Sequence, residues 1–134
     1  MSEPMFPVVS RTFTVELVKR FGEWNNDNNM LHYDDDAARE AGFPHPIIHS
    51  PLSASLISEA ARDLFGTAWV CGGILTLRFL RPVYVGETVT TGGTFKSLDR
   101  SGDEPRAVYE VWAAKPNGEK VIVGEASAAR PAVA

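Results

Sequence analysis

Hydrophobic positions recur at helical spacing in the first half of the chain and at alternate positions in the second. Leu17, Phe21 and Trp24 stand four and three apart, with Glu16 placed for the positive end of a helix dipole, so a short amphipathic helix is predicted from Thr14 onward. It runs into Asn25–Asn29, "NNDNN", whose side chains compete for backbone hydrogen bonds and end the helix. Asp34 to Asp36 offer N-caps for a second helix of about two turns, stopped by Gly42. Three prolines in "FPHPIIHSP", Phe43–Pro51, predict an extended, rigid connector.

Ser50 and Pro51 suit the N-cap and first position of a longer helix that closes at Gly66. Leu52, Leu56, Ile57 and Ala60 are interleaved with Ser53, Ala54, Ser55 and Ser58, so its first half is apolar or small on nearly every side, the pattern of a buried helix. Beyond it the period changes to two. Leu75, Leu77 and Phe79 alternate with Thr76 and Arg78; Val108, Glu110 and Trp112 alternate with Tyr109 and Val111; and Val121–Val123 is a β-branched run. "PNGE" at Pro116–Glu119, "VGE" at Val85–Glu87 and the polar run Asp99–Pro105 supply turns. Helices followed by an antiparallel meander of four long strands, with a possible fifth near Pro7–Thr12, predict an α+β fold in which the buried helix covers one face of a curled sheet. With no internal repeat or linker, residues 1–134 read as one domain. Gly72, Gly73, Gly92 and Gly93 are expected to bend strands, and Cys71 to be a small core residue in one.

Composition narrows the function classes. The chain has 134 residues, 44% of them hydrophobic and 22% charged, the balance of an ordinary globular domain. Its net charge is −4 and its basic residues are scattered, which argues against nucleic-acid binding. A single cysteine permits no intrachain disulfide. Pro4 and Pro7 interrupt what could have been a signal sequence, and no run approaches the ~18 to 20 apolar residues of a membrane helix. A cytoplasmic protein without membrane attachment is expected.

Asp27 and His32 lie five apart in a polar loop where neither is required for packing. A carboxylate beside an imidazole is an acid and base pair; a turn-capping Asp and an ordinary histidine fit the same spacing. The loop fails as a calcium site because Leu31 and His32 stand where a ligand and a glycine are required. His45 and His49 have the i, i+4 spacing of a zinc pair, but Pro46 removes the helix that would align them, so no metal is expected. Neither Ser50 nor Ser58 stands in a nucleophile elbow. A helix starting at Ser50, however, leaves backbone N–H groups free at its positive end, which favours a developing negative oxygen.

Together, "NDNNMLH" and "FPHPIIHSPLSASLIS" resemble the hotdog-fold (R)-specific enoyl-CoA hydratases and MaoC-like dehydratases. The signature of that family runs Gly-Asp-x-Asn-Pro-Leu-His, then an apolar residue, His-Gly-Met-Leu, and a Ser two turns into the helix. Asp27, Asn29, Leu31 and His32 match its first part, and Ile48, His49, Leu52 and Ser58 its second. The chain departs from it at Asn25-Asn26, where the family has Ser-Gly, at Met30 for Pro, and at Ser50-Pro51 for Gly-Met. The resemblance implies a hotdog fold, an antiparallel sheet of about five strands wrapped around a long central helix. It implies that Asp27 and His32 are catalytic, that His49 and Ser50 form the oxyanion and substrate-binding position through the Ser50 N–H, and that Asn29 and Ser58 support the site. The implied reaction is reversible hydration of a trans-2-enoyl thioester to an (R)-3-hydroxyacyl thioester. It needs no cofactor beyond the CoA or acyl carrier protein of the substrate, and a homodimer or higher hotdog oligomer is implied. A non-catalytic acyl-binding or partner subunit, or an acyl-CoA thioesterase, would keep the same fold. Trp24, Leu52, Leu56 and Trp69 are the candidates for setting acyl-tunnel depth.

Overall fold

The computed structural model describes residues 3–130. Its elements run β1 (Ser10–Thr12), α1 (Val15–Trp24), a single 3₁₀ turn (Met30–His32), α2 (Asp35–Glu40), α3 (Ser50–Phe65), α4 (Thr67–Gly72), β2 (Ile74–Phe79), β3 (Thr88–Asp99), β4 (Arg106–Ala114) and β5 (Lys120–Ala129). The strands form one antiparallel sheet in the order β1-β3-β4-β5-β2, which leaves β1 and β2 at the edges. The possible fifth strand is present as β1, with Ser10 opposite Thr90.

Period-two burial decides which face of the sheet turns inward. Ala107, Tyr109, Val111 and Ala113 of β4 are all buried, and α3 lies against them with Leu56, Ile57, Ala60 and Ala61 fully covered. Each large apolar side chain buried in this way contributes about 1.5 to 3 kcal/mol. Alanines at 60 and 61 on the helix and at 107 and 113 on the sheet let the two layers come close. A bulge between Phe95 and Ser97 breaks the β3–β4 register where the sheet bends. At the β4–β5 turn, Gly118 has φ of 89°, a conformation glycine adopts without strain, and Asn117 accepts from the Glu119 N–H. The segment before β1 crosses the sheet: Phe6 is buried against Tyr109, and Thr91 holds Pro7 and Val9 through its hydroxyl.

Three sequence expectations are corrected. Cys71 is exposed on α4 and not in a strand, and Gly72 and Gly73 end that helix. Residues 67–72 form too short a run to show a period, and Gly73 is needed there because a Cβ would run into the Trp69 ring. On α1 the buried positions are Val18 and Gly22, flanked by half-buried Leu17 and Phe21, whereas Trp24 is 80% exposed. And α3 is not covered on every side: Ser50, Pro51 and Ser55 form an open face, the small polar residues having been equally compatible with either environment.

Candidate active site

The loop after α1 is shaped by its own polar side chains. Asn25 donates to the Phe21 carbonyl as the helix ends. Asn26 follows with φ of +53°, the left-handed region that Asn tolerates better than other side chains. It stands where the signature that the chain resembles has a glycine, the residue that adopts this conformation most readily. Asp27 Oδ1 then accepts from the Asn29 N–H at 3.0 Å, and Asn29 Oδ1 caps the next turn by accepting from the Leu31 N–H at 3.2 Å. Met30 is the first residue of that turn, where the family's proline fits because no N–H is needed.

These turns bring Asp27 and His32 together, with Asp27 Oδ2 3.6 Å from His32 Nε2. His32 Nδ1 lies 2.7 Å from the Ile47 carbonyl, which can only accept, so Nδ1 carries a proton and donates there, while Nε2 faces the carboxylate. His49 arrives from the proline-rich connector as the cap of α3 and stacks on His32, ring centroids 3.8 Å apart at 24°. Its Nε2 is also 3.6 Å from Asp27 Oδ2. His49 is 3% exposed, with its imidazole turned to the carboxylate. Burial first, and then the neighbouring His32, lower its pKa below the ordinary histidine value, against an opposing pull from Asp27.

Tyr33 went unmarked in the sequence. Its hydroxyl donates to the Asp27 carbonyl at 3.0 Å and lies 3.3 Å from His49 Nε2. Burial, followed by the charges of Asp27 and Glu23, raises its pKa and keeps it a donor. Room for it exists because position 22 is glycine: a Cβ there would collide with the Tyr33 hydroxyl. A glycine within an amphipathic helix was the available signal, since in a helix it costs up to about 1 kcal/mol relative to alanine unless something needs the space.

Asp27, His32 and His49 place one ligand-type atom each within 4.8 Å of the others. His45 is exposed and packs edge-on against Tyr84, away from the group.

Ser50 opens α3, and its N–H has no partner among the described residues; Pro51 has no N–H, and the Leu52 and Ser53 N–H groups turn back to the His49 carbonyl. One free donor at a positive helix end remains, beside an exposed surface. Ser58 is placed elsewhere. Its hydroxyl accepts from Trp69 Nε1 at 3.0 Å and joins α3 to α4, two turns beyond the start of the helix. Between α1 and α3 opens a cleft of about 660 Å³ lined by Phe13, Leu17, Phe21, Trp24 and Leu52, with Arg11 and Arg20 among its polar groups. Phe21 is shared with the site, its ring 5.0 Å from that of His49. Leu56 is wholly buried in the core, so of the tunnel candidates only Trp24 and Leu52 line this space.

Residues 2–113 match the MaoC-like domain model. Among curated relatives, the (R)-specific enoyl-CoA hydratase of Aeromonas caviae is 32% identical over 119 residues, which cover 88% of this chain and 87% of the relative. The mitochondrial 3-hydroxyacyl-[acyl-carrier-protein] dehydratase of Arabidopsis thaliana is 29% identical over 124 residues, 91% of this chain and 73% of the relative. Among solved structures, the A. caviae (R)-hydratase superposes with a TM-score of 0.76 at 29% identity, covering 93% of both chains. An R-hydratase from Pseudomonas aeruginosa gives 0.79 at 23% identity, covering 99% of this chain and 84% of the other. The signature loop, the capped central helix and these likenesses agree: the chain belongs to the MaoC-like family of hotdog-fold hydratases and dehydratases.

Proposed function

We propose that the protein adds water reversibly to a trans-2-enoyl thioester of CoA or acyl carrier protein, giving the (R)-3-hydroxyacyl thioester. One observation carries the mechanism. Asp27 Oδ2 and His32 Nε2 are both hydrogen-bond acceptors, 3.6 Å apart, and a single water can donate one hydrogen to each. Asp27 takes a proton as the water oxygen bonds to C3. Electrons of the C2=C3 bond move toward the thioester carbonyl, whose oxygen becomes negative and is held by the Ser50 N–H. The Asp27–His32 pair returns one proton to C2 and the carbonyl re-forms. One O–H bond of the water and the C2=C3 π bond have been broken, C3–O and C2–H bonds have formed, and the pair ends as it began. Elimination runs the same steps backward, and no further group is consumed. The apolar cleft beside Phe21 is suited to the hydrocarbon part of the thioester.

A second copy completes the proposed assembly. β2 is an open edge strand that carries exposed Ile74 and Phe79, with exposed Leu80 following it, and such an edge is a template for pairing. Light scattering at micromolar concentration should report a dimer; a monomer would contradict this part of the reading.

The function is tested by incubating the purified protein with crotonyl-CoA while following enoyl absorbance and free thiol. Loss of absorbance without thiol release is the expected result, with chiral chromatography giving the R product. Thiol release would make the protein a thioesterase, and neither signal would make it a binding subunit.

A further inference from the structure

We propose that His49 is a positioning residue that holds Asp27 by donating from Nε2, so that the two stacked histidines carry opposite tautomers around one carboxylate. The proposal rests on the hydratase reading for its consequence and on hydrogen-bond accounting for its geometry.

His49 Nδ1 is buried and has no hydrogen-bond partner among the described residues. An N–H sealed there would be an unsatisfied donor, which costs about 1 to 3 kcal/mol. Placing the proton on Nε2 removes that donor and directs the N–H to where acceptors are waiting. Tyr33 Oη, 3.3 Å away, has spent its own hydrogen on the Asp27 carbonyl and can accept. Asp27 Oδ2 lies just beyond hydrogen-bond length at 3.6 Å and is attracted to the same N–H dipole. In the other tautomer three lone pairs, on Nε2, Oη and Oδ2, would face one another with no hydrogen among them. His32 is fixed the opposite way by the Ile47 carbonyl.

The two rings divide the work. His32 presents a lone pair to the shared water, and His49 anchors the carboxylate from its other side. Through Tyr33 it also anchors the Asp27 backbone, and Gly22 makes room for that link. His49 meets no substrate, since it is buried beneath His32.

Long-range ¹H–¹⁵N correlation spectra of the uniformly labelled wild-type protein above neutral pH read the tautomers directly. His49 should show a protonated Nε2 with a bare Nδ1, and His32 the reverse. The same tautomer on both rings, or a protonated Nδ1 on His49, overturns the proposal whether or not the protein hydrates crotonyl-CoA. In wild type, an absent hydratase reaction would instead remove the functional reading and leave the tautomer assignment standing. Turnover supplies the second arm. His49→Gln keeps an N–H donor near Nε2 and should retain most of kcat, whereas His49→Leu lacks it and should lose about 10²-fold in kcat with little change in KM, as displacement of a catalytic group does. Matching circular dichroism is required of both variants. Equal losses in Gln and Leu would show that shape alone matters and overturn the positioning role. Should the Leu variant not fold, the wild-type spectra decide.

Discussion

His32 and His49 stack 3.8 Å apart, and each points Nε2 at the same Asp27 oxygen from 3.6 Å. Two imidazoles on one carboxylate oxygen would be redundant if they did the same thing. Their second nitrogens separate them. Nδ1 of His32 is bonded to a carbonyl, and Nδ1 of His49 is buried without a partner among the described residues. The proposed division gives proton chemistry to the ring nearer solvent and anchoring to the buried one.

Burial of a neutral His49 makes stability depend on pH. Its folded pKa is depressed below the unfolded value of about 6.5. Above that value neither state binds the proton and stability is at its full level. As pH falls through about 6.5 the unfolded chain protonates first, so stability declines until the folded pKa is passed. Urea midpoints should drop from pH 7.5 to 5.5 in the wild type and drop less in His49→Gln, which cannot titrate there. Parallel curves would remove His49 as the cause.

Gly22 and Tyr33 should be coupled. Gly22→Ala would normally favour a helix, yet its Cβ meets the Tyr33 hydroxyl, so a loss of about 1 to 3 kcal/mol is expected, the usual cost of overpacking. Tyr33→Phe removes the hydroxyl and its bond to the Asp27 carbonyl, at about 0.5 to 1.5 kcal/mol. In the double variant the collision is relieved. Denaturation should give a combined loss well below the sum of the two, and simple additivity would contradict the contact.

The strand periods, the turn at Pro116–Glu119 and the extent of α3 were readable in the chain because apolar alternation and punctuating Gly and Pro act locally. So was the pairing of Asp27 with His32, through a signature that ties them to a loop and helix start. What could not be read depended on contacts distant in sequence. The shared serine of the signature, Ser58, faces Trp69 because α4 forms where a strand was expected. Tyr33 and the stacking of His49 depend on how the connector Phe43–His49 folds back over the 3₁₀ turn, which no local period encodes. The departures at Asn26, Met30 and Pro51 each suit the backbone they occupy, Asn26 at positive φ, Met30 first in the 3₁₀ turn and Pro51 in the first turn of α3, as their φ angles and cap positions show.

Ser50 separates backbone from side chain. If its N–H holds the developing oxygen, Ser50→Ala should lose far less activity than Ser50→Pro, which deletes the donor and should cost about 10² to 10³ in turnover. Circular dichroism and oligomeric state must match before rates are compared, because Pro would precede Pro51. An alanine variant as inactive as the proline one would assign the role to the hydroxyl.

The shared water is the centre of the account, and turnover of crotonyl-CoA by Asp27→Asn, His32→Ala and the double variant tests it most directly. Two groups that share one water act as a unit, so each single change should remove nearly all of the hydration rate, at least the ~10² to 10⁴ that acid and base catalysis supplies. The double variant should then be scarcely worse than either single one. Near-normal turnover in either single variant, or losses that multiply in the double, would contradict a water held jointly by Asp27 and His32.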